Sequence, residues 1–138
     1  MTEAYRGALP VPTPETKPYW DAAREGRLLL PWCEDCGRPH FHPRAICPHC
    51  GSGRLAWREA SGRGRLHTYV INHKPARGFE DRVPYVIAVV ELEEGPRLLT
   101  NIDLADSTPE ALRIDMPVVV GFRAVTPQVT LPVFRPAP

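Results

Sequence analysis

The sequence predicts a mostly β protein with a short N-terminal helix, a four-cysteine metal-binding module and a closed five-stranded antiparallel barrel. Three observations support this fold class. The four cysteines fall into two close pairs, Cys33 with Cys36 and Cys47 with Cys50. The chain has 17 prolines and 10 glycines in 138 residues, which favours short elements separated by turns because proline fixes φ and removes a backbone donor. The second half contains several runs rich in β-branched and aromatic residues, which are typical of strands.

Residues 1–30 are predicted to form an arm followed by a helix. Pro10, Pro12 and Pro14 favour an extended, polyproline-like arm that is able to lie along another surface. Thr16 is the expected N-cap of a helix of about two turns in KPYWDAAREG, and Gly26 is its expected stop. The helix side chains expected to pack against the core are Tyr19, Trp20 and Ala23.

Residues 31–60 are predicted to form a zinc ribbon, entered by the strand-like run RLLLPW. CEDC and CPHC are separated by ten residues, and each pair is expected to turn through a tight knuckle that presents two thiolates to one tetrahedral ion. Gly37 and Gly51 follow the second cysteine of each pair, where the turning backbone benefits from the absence of a Cβ. Four thiolates leave no open position for water, so the predicted Zn²⁺ is structural and not catalytic.

Two other uses of these residues compete with the zinc site. A redox pair is the alternative for the cysteines, but such motifs usually occur once, at the start of a helix in a βαβ unit. Histidine replaces cysteine in some zinc sites, and the loop contains three histidines. Since four cysteines already complete a tetrahedron, we interpret these histidines as groups that surround the site or lie on the surface: His40, His42 and His49.

Residues 61–138 are predicted to form the barrel. The expected strands are LHTYVINH, YVIAVVEL, RLLTNI, VVVGFRAV and VTLPVF. A turn at Glu94-Gly95-Pro96 joins the second and third strands, and one or two helical turns in STPEALRI precede the fourth. The best-known closed barrel of five strands is the OB-fold.

Composition weighs against several classes of function. With 17 basic and 16 acidic residues, the formal net charge of +1 provides no general attraction for nucleic acid or an anionic membrane. The first 15 residues lack the apolar segment of a signal peptide, and no run is apolar and long enough to span a membrane. We therefore expect a cytoplasmic protein.

Catalysis by this chain alone is not expected. The sequence contains no G-x-S-x-G, P-loop or G-x-G-x-x-G motif in the right context, and all four cysteines are assigned to the metal, so no nucleophilic thiol remains. His73, Glu80 and Asp81 are candidates for proton transfer, but their spacing does not require it, and an ordinary polar loop is the favoured interpretation.

The loop NHKPARGFEDRVPY combines cations with aromatic rings. This mixture suits an anionic ligand that carries a flat ring, such as a nucleotide. A solvated charged loop is the competing and simpler interpretation. The candidate ligand-binding residues are Lys74, Arg77, Phe79 and Arg82, next to Tyr85.

The order of these segments resembles the zinc-ribbon OB-fold family of acyl-CoA-associated proteins, known as domain of unknown function thirty-five. The resemblance runs from about Thr13 to Pro136 and depends on the helix, the four-cysteine ribbon and the VPY-led strand. It implies a rubredoxin-like ribbon, an OB-fold barrel and an accessory role beside a thiolase-like or lipid-transfer-protein-like enzyme. It also implies that this chain helps to hold the CoA part of an acyl-CoA, which gives Lys74, Arg77, Phe79 and Arg82 a candidate ligand.

The substrate and the function class stay open at this stage. A partner that cleaves a steroid acyl-CoA by a retro-aldol step and one that acts on acetoacetyl-CoA or another β-ketoacyl-CoA are equal contenders. Some relatives are fused to a hydratase, but this sequence has no hydratase segment. A nucleic-acid-binding module is the main alternative, because OB barrels and zinc ribbons both occur in such proteins.

Overall fold

The computed structural model describes residues 5–138 and confirms the predicted order of helix, ribbon and barrel. A helix and two strands come first, and five barrel strands follow. A single 3₁₀ turn, Pro109–Ala111, lies where one or two helical turns were expected. The elements are α1 (Lys17–Arg24), β1 (Leu29–Cys33), β2 (Leu55–Glu59), β3 (Arg63–Asn72), β4 (Tyr85–Leu92), β5 (Arg97–Ile102), β6 (Pro117–Ala124) and β7 (Thr130–Pro136).

Helix α1 has the predicted bounds, but Thr16 caps it in a different way. Thr16 occupies the N-cap position without a side-chain bond to the helix. Its Oγ1 instead accepts a hydrogen bond from the Thr13 backbone N–H at 2.8 Å, which fixes the turn before the helix. At the other end Gly26 has φ of 76°, and the Arg27 N–H donates to the Ala22 carbonyl, so the helix ends as predicted.

The ribbon is built on a two-stranded antiparallel sheet. β1 pairs with β2 in a register that places Pro31 opposite Trp57 and Cys33 opposite Leu55. The chain between these strands makes the two cysteine turns, so both metal-binding pairs lie at the same end of the sheet. The predicted strand RLLLPW therefore leads directly into the first zinc ligand.

The barrel closes in the order β3-β4-β5-β7-β6. All its pairings are antiparallel except β5 with β7, which meet in parallel at Ile102 and Phe134. Along β4 buried and partly exposed residues alternate, as expected for a strand with one face toward a core. This architecture agrees with the predicted five-stranded OB-fold.

One continuous core joins the N-terminal region to the barrel. Tyr19 of α1, Leu28 just before β1 and Leu30 within it belong to the same cluster of buried apolar side chains as Leu66 and Phe134 of the barrel. The predicted division into residues 1–30, 31–60 and 61–138 stays a prediction, and its first four residues lie outside the described part of the chain. In residues 5–138, no helix is long and apolar enough to cross a membrane.

Candidate functional site

The four cysteines lie on two turns of the same design. The Gly37 N–H donates to the Cys33 carbonyl and the Gly51 N–H to the Cys47 carbonyl, both at 2.9 Å. Both glycines have positive φ, 74° for Gly37 and 82° for Gly51, a conformation that other residues adopt at a cost. The two knuckles predicted from the C-x-x-C-G spacing are therefore present.

The sulfur atoms of Cys33, Cys36, Cys47 and Cys50 all lie within 4.8 Å of one another. Cys33 Sγ is 3.5 Å from Cys50 Sγ, and Cys36 Sγ is 3.7 Å from Cys47 Sγ. In a tetrahedral site with Zn–S bonds of about 2.3 Å, the sulfur atoms would be about 3.8 Å apart. The donor set and its spacing therefore fit Zn²⁺, with no position left for a reacting ligand.

Backbone amides donate hydrogen bonds to two of these sulfur atoms, which favours the thiolate form that binds a cation. The Cys36 N–H donates to Cys33 Sγ at 3.4 Å, and the His49 N–H donates to Cys47 Sγ at 3.3 Å. The Cys36 amide is the main reason that the pKa of Cys33 falls to about 6. The Ser52 amide lowers the pKa of Cys50, but the neighbouring sulfur atoms and desolvation together outweigh it and raise this pKa to about 12. Four thiolates at this distance need a cation between them, which is the role of a structural zinc ion.

Polar contacts also tie the first knuckle to the segment after the second. Ser52 Oγ donates to Asp35, and Arg54 Nη1 lies 2.7 Å from Asp35 Oδ1. Arg54 also pairs with Glu34 at 3.4 Å. These side chains are exposed, so they align the two knuckles more than they stabilise them.

The three histidines of the ribbon have different environments. His42 and His49 are exposed, as predicted for surface groups. His40 is buried, with 4% of its surface accessible. Burial lowers the pKa of His40, and the positive charges of His49 and Arg44 lower it further.

At one end of the barrel, a cavity of about 420 Å³ opens beside the loop that joins β3 and β4. Of the four candidate ligand-binding residues, Phe79 and Arg82 line this cavity, whereas Lys74 and Arg77 are exposed and do not. Nor do the candidate acid–base residues contribute to its lining: His73, Glu80 and Asp81.

The residues around Phe79 form a cluster of aromatic rings, in edge-on and tilted contacts, with one cation. The ring of Phe79 lies 5.4 Å from that of Tyr85 and 6.2 Å from that of Tyr5. The Arg82 guanidinium carbon is 5.7 Å from the Phe79 ring centre and 5.5 Å from that of Tyr5. Tyr5 comes from the N-terminal arm, so the arm lies partly against this loop.

Several residues of the cavity were not predicted from the sequence. Asn101, Asp103 and Arg123 lie on or next to β5 and β6, and Arg123 forms an ion pair with Asp103. Each is a single polar residue in a strand-like segment, with no motif around it. Only the closure of the barrel brings them to the same opening as Phe79.

Comparisons with known families agree with both halves of this structure. A model described as the rubredoxin-like zinc ribbon domain of ChsH2 matches residues 20–56, and one described as the C-terminal OB-fold domain of ChsH2 matches residues 57–123.

A DUF35 domain-containing scaffold protein of Methanothermobacter thermautotrophicus is 42% identical over 94 residues, which are 67% of this chain and 69% of that protein. The chain belongs to the DUF35 family. A probable enoyl-CoA hydratase alpha subunit of Thermomonospora curvata is also 42% identical over 120 residues, or 86% of this chain. This chain spans only 36% of that longer protein.

A solved structure of a DUF35 protein is also similar. The matched chain belongs to a structure described as "Ltp2-ChsH2(DUF35) aldolase", with 38% sequence identity and a TM-score of 0.81. The match covers 92% of this chain and 98% of the other. Both the ribbon and the barrel are therefore arranged as in that DUF35 chain.

Proposed function

We propose that this DUF35 chain is a non-catalytic accessory subunit that binds a thiolase-like enzyme, stabilises it and helps to bind the CoA part of an acyl-CoA. The observation that carries this proposal is the similarity to the DUF35 chain of the Ltp2-ChsH2(DUF35) aldolase, which extends over 98% of that chain. The name of that structure pairs the DUF35 chain with a second component of an aldolase. A partner of the thiolase-like or lipid-transfer-protein-like class is the corresponding component here.

The chemistry of the chain supports an accessory role. The four cysteines form the structural zinc site, and binding of zinc would remove them as nucleophiles. His73, Glu80 and Asp81 are exposed and do not line the cavity beside their loop. The hydratase activity in the name of the Thermomonospora curvata relative is not transferred, because this chain spans 36% of that protein.

The barrel-end cavity is the proposed site for one end of CoA. Phe79 offers a ring for stacking on adenine, and Arg82 and Arg123 offer cations for phosphate groups. Lys74 and Arg77 are exposed on the same loop, where they would contact phosphates outside the cavity. The nucleic-acid alternative is not favoured, because the similar proteins are described as a hydratase subunit, a scaffold protein and an aldolase component.

Two acyl-CoA classes fit this proposal equally. A steroid acyl-CoA would be cleaved by an aldolase partner, and a β-ketoacyl-CoA would be processed by a thiolase partner. We place the complex in the cytoplasm, because four closely spaced thiols persist as zinc ligands in a reducing compartment.

Co-expression with the thiolase-like protein encoded beside this chain tests the accessory role. We expect the two proteins to co-elute in size-exclusion chromatography and the partner to have a higher Tm and higher activity in the complex. Separate elution together with unchanged partner activity would reject the proposal.

CoA binding is tested by isothermal titration of the complex with CoA. Phe79→Ala is expected to weaken binding about tenfold or more, since stacking on an aromatic side chain contributes about 1–3 kcal/mol. Arg82→Ala should weaken it by several-fold. Arg24→Ala removes an exposed arginine of α1 that does not line the cavity, and it is the control, with a change of about twofold at most. Equal losses for Arg82→Ala and Arg24→Ala would mean that the chain attracts CoA by net charge alone.

A further inference from the structure

The N-terminal arm crosses the loop that joins β3 to β4. Most residues of this β3–β4 loop (residues 73–84) are exposed, and it carries two residues of the barrel-end cavity, Phe79 and Arg82. The arm segment, residues 5–8, packs against the middle of the loop. An exposed loop loses conformational freedom when it orders around a ligand, so a contact that orders it in advance favours binding.

Two glycines mark how closely the arm segment approaches the β3–β4 loop. A Cβ on Gly78 would overlap the carbonyl oxygen of Arg6 and would lie 2.9 Å from the Gly7 nitrogen. A Cβ on Gly7 would lie 2.8 Å from Cε2 of Phe79. Real Cβ atoms do not approach other heavy atoms this closely. The two backbones therefore meet where neither residue carries a side chain.

Tyr5 adds an aromatic side chain to the same contact. Its ring meets the Phe79 ring edge-on, with 6.2 Å between the ring centres, and its hydroxyl donates to the Ala8 carbonyl at 3.3 Å. The guanidinium carbon of Arg82 lies 5.5 Å from the Tyr5 ring centre and 5.7 Å from that of Phe79. Aromatic rings attract cations at this distance. Tyr5 thus contacts two residues of the cavity without lining the cavity itself.

The two arginines of the cavity are oriented in different ways. Arg123 forms an ion pair with Asp103. The backbone N–H of Arg82 donates to the Phe79 carbonyl at 3.0 Å, but within residues 5–138 its side chain forms no ion pair and no hydrogen bond. The aromatic contacts therefore orient the Arg82 charge, and one of the two rings, that of Tyr5, belongs to the arm.

We propose that Tyr5 is a positioning residue of the CoA site: the arm segment packs on Gly78 and holds the Phe79 ring and the Arg82 charge where they receive the nucleotide end of CoA. This inference rests on the proposed CoA-binding role and adds the arm to that site. An aromatic ring beside a cation suits a ligand that combines a flat base with phosphate groups.

Isothermal titration of the complex with CoA tests this role through two substitutions of Tyr5. We expect Tyr5→Ala to weaken CoA binding about fivefold, which corresponds to the loss of one exposed cation–π contact. Tyr5→Phe keeps the ring beside Phe79 and Arg82 and loses only the hydrogen bond to Ala8, so it should retain the wild-type affinity. Unchanged affinity in Tyr5→Ala would overturn the inference. Tighter binding would also overturn it, because the arm would then obstruct the site.

Gly78→Ala and Gly95→Ala separate the arm contact from the cost of backbone strain. Both glycines have positive φ, 92° and 116°, but a Cβ on Gly95 would meet nothing within 4 Å. We expect both variants to be less stable than the wild type, and only Gly78→Ala to weaken CoA binding, by about as much as Tyr5→Ala. Equal effects of Gly78→Ala and Gly95→Ala on CoA binding would contradict a role for the arm contact.

The double variant Tyr5→Ala/Gly78→Ala tests whether both substitutions act through the same contact. It should bind CoA no more weakly than the weaker of the two single variants, since either change already removes the arm from the β3–β4 loop. Losses that multiplied would mean that the two residues act independently, which would overturn the proposal.

NMR spectra of the zinc-loaded chain without CoA report on the arm directly. The Phe79 ring signals and the Arg82 Nε–H signal should shift in Tyr5→Ala and stay close to their wild-type positions in Tyr5→Phe. Unshifted signals in Tyr5→Ala would show that the arm does not hold these groups. If the wild-type complex does not bind CoA, the proposed CoA site is rejected, and the inference with it. If the wild-type complex binds CoA and Tyr5→Ala binds it equally well, only the role of the arm is rejected.

Discussion

At the scale of single residues, the zinc ligands are separated from nearby histidines by geometry. Cys50 has its sulfur 3.5 Å from that of Cys33, whereas the His49 ring turns toward the Pro39 carbonyl, 3.3 Å from its Nε2. We therefore predict that Cys50→Ser lowers zinc content and unfolds the ribbon, since the metal contributes on the order of 10 kcal/mol to such a site. His49→Gln is the control and should retain one zinc ion per chain. Metal analysis and circular dichroism measure both, and a Cys50→Ser protein that kept its zinc and its fold would contradict the four-thiolate site.

Two glycines of the ribbon, Gly37 and Gly53, differ in backbone conformation. Gly37 has φ of 74° and nothing within 4 Å of where a Cβ would lie. Gly53 also has free space there but no positive φ. We predict that Gly37→Ala lowers the free energy of unfolding by about 1 kcal/mol, because only the left-handed conformation is penalised. Gly53→Ala should be neutral or slightly stabilising. Denaturant titration measures both, and equal effects would mean that the knuckle tolerates alanine.

Some features of the zinc ribbon follow directly from the spacing of residues in the sequence, and others do not. The C-x-x-C-G repeats predict the ligands and the glycines, because each knuckle is a local turn whose geometry follows from consecutive residues. His40 is buried and lines a cleft together with the β4–β5 turn, which is distant in the sequence. A histidine in a loop gives no sign of such surroundings, so its burial was not predicted.

At the scale of elements, helix α1 is attached by one aromatic side chain in particular. Tyr19 is 7% exposed, and its ring lies 5.3 Å from that of Phe41 in the ribbon. We predict that Tyr19→Ala destabilises the protein by about 3 kcal/mol or more, as for other large buried side chains. Lys17→Ala removes only an exposed pair with Asp21 on the same helix and should cost less than about 0.5 kcal/mol. Thermal unfolding of the two variants provides the comparison, and similar losses would show that the helix is held by its surface charges.

The strands were predicted more completely than the connections between them. Runs such as YVIAVVEL become strands because their alternate residues pack inward, a pattern that is visible in the sequence. Thr16 has the residue type of an N-cap, but its hydroxyl accepts a bond from Thr13, a choice between two local partners that the sequence does not decide. The cavity beside Phe79 depends on barrel closure, which brings Asn101 and Arg123 to the β3–β4 loop.

At the scale of the whole molecule, the ribbon and the barrel depend on the same core. Tyr19, Leu28 and Leu30 pack in one apolar cluster with Leu66 and Phe134. The sequence predicts two modules, since the cysteine pairs and the strand runs follow each other without overlap. It does not predict how strongly the modules are coupled, because that depends on which apolar side chains cross between them.

This shared core leads to a prediction for metal removal. Loss of zinc should unfold the loop between β1 and β2 and loosen β1, which exposes Leu28 and Leu30, each now at most 2% accessible. Each such side chain contributes about 1.5–3 kcal/mol when buried, a large part of a typical stability of about 5–15 kcal/mol. A strong zinc chelator should therefore lower the Tm of the barrel as well as abolish the ribbon, and added zinc should restore both. NMR amide signals of β3 to β7 report on the barrel separately, with a calcium-selective chelator as the control. Barrel signals and Tm that persisted after the ribbon signals had disappeared would contradict this coupling and would favour independent folding units on either side of residue 60.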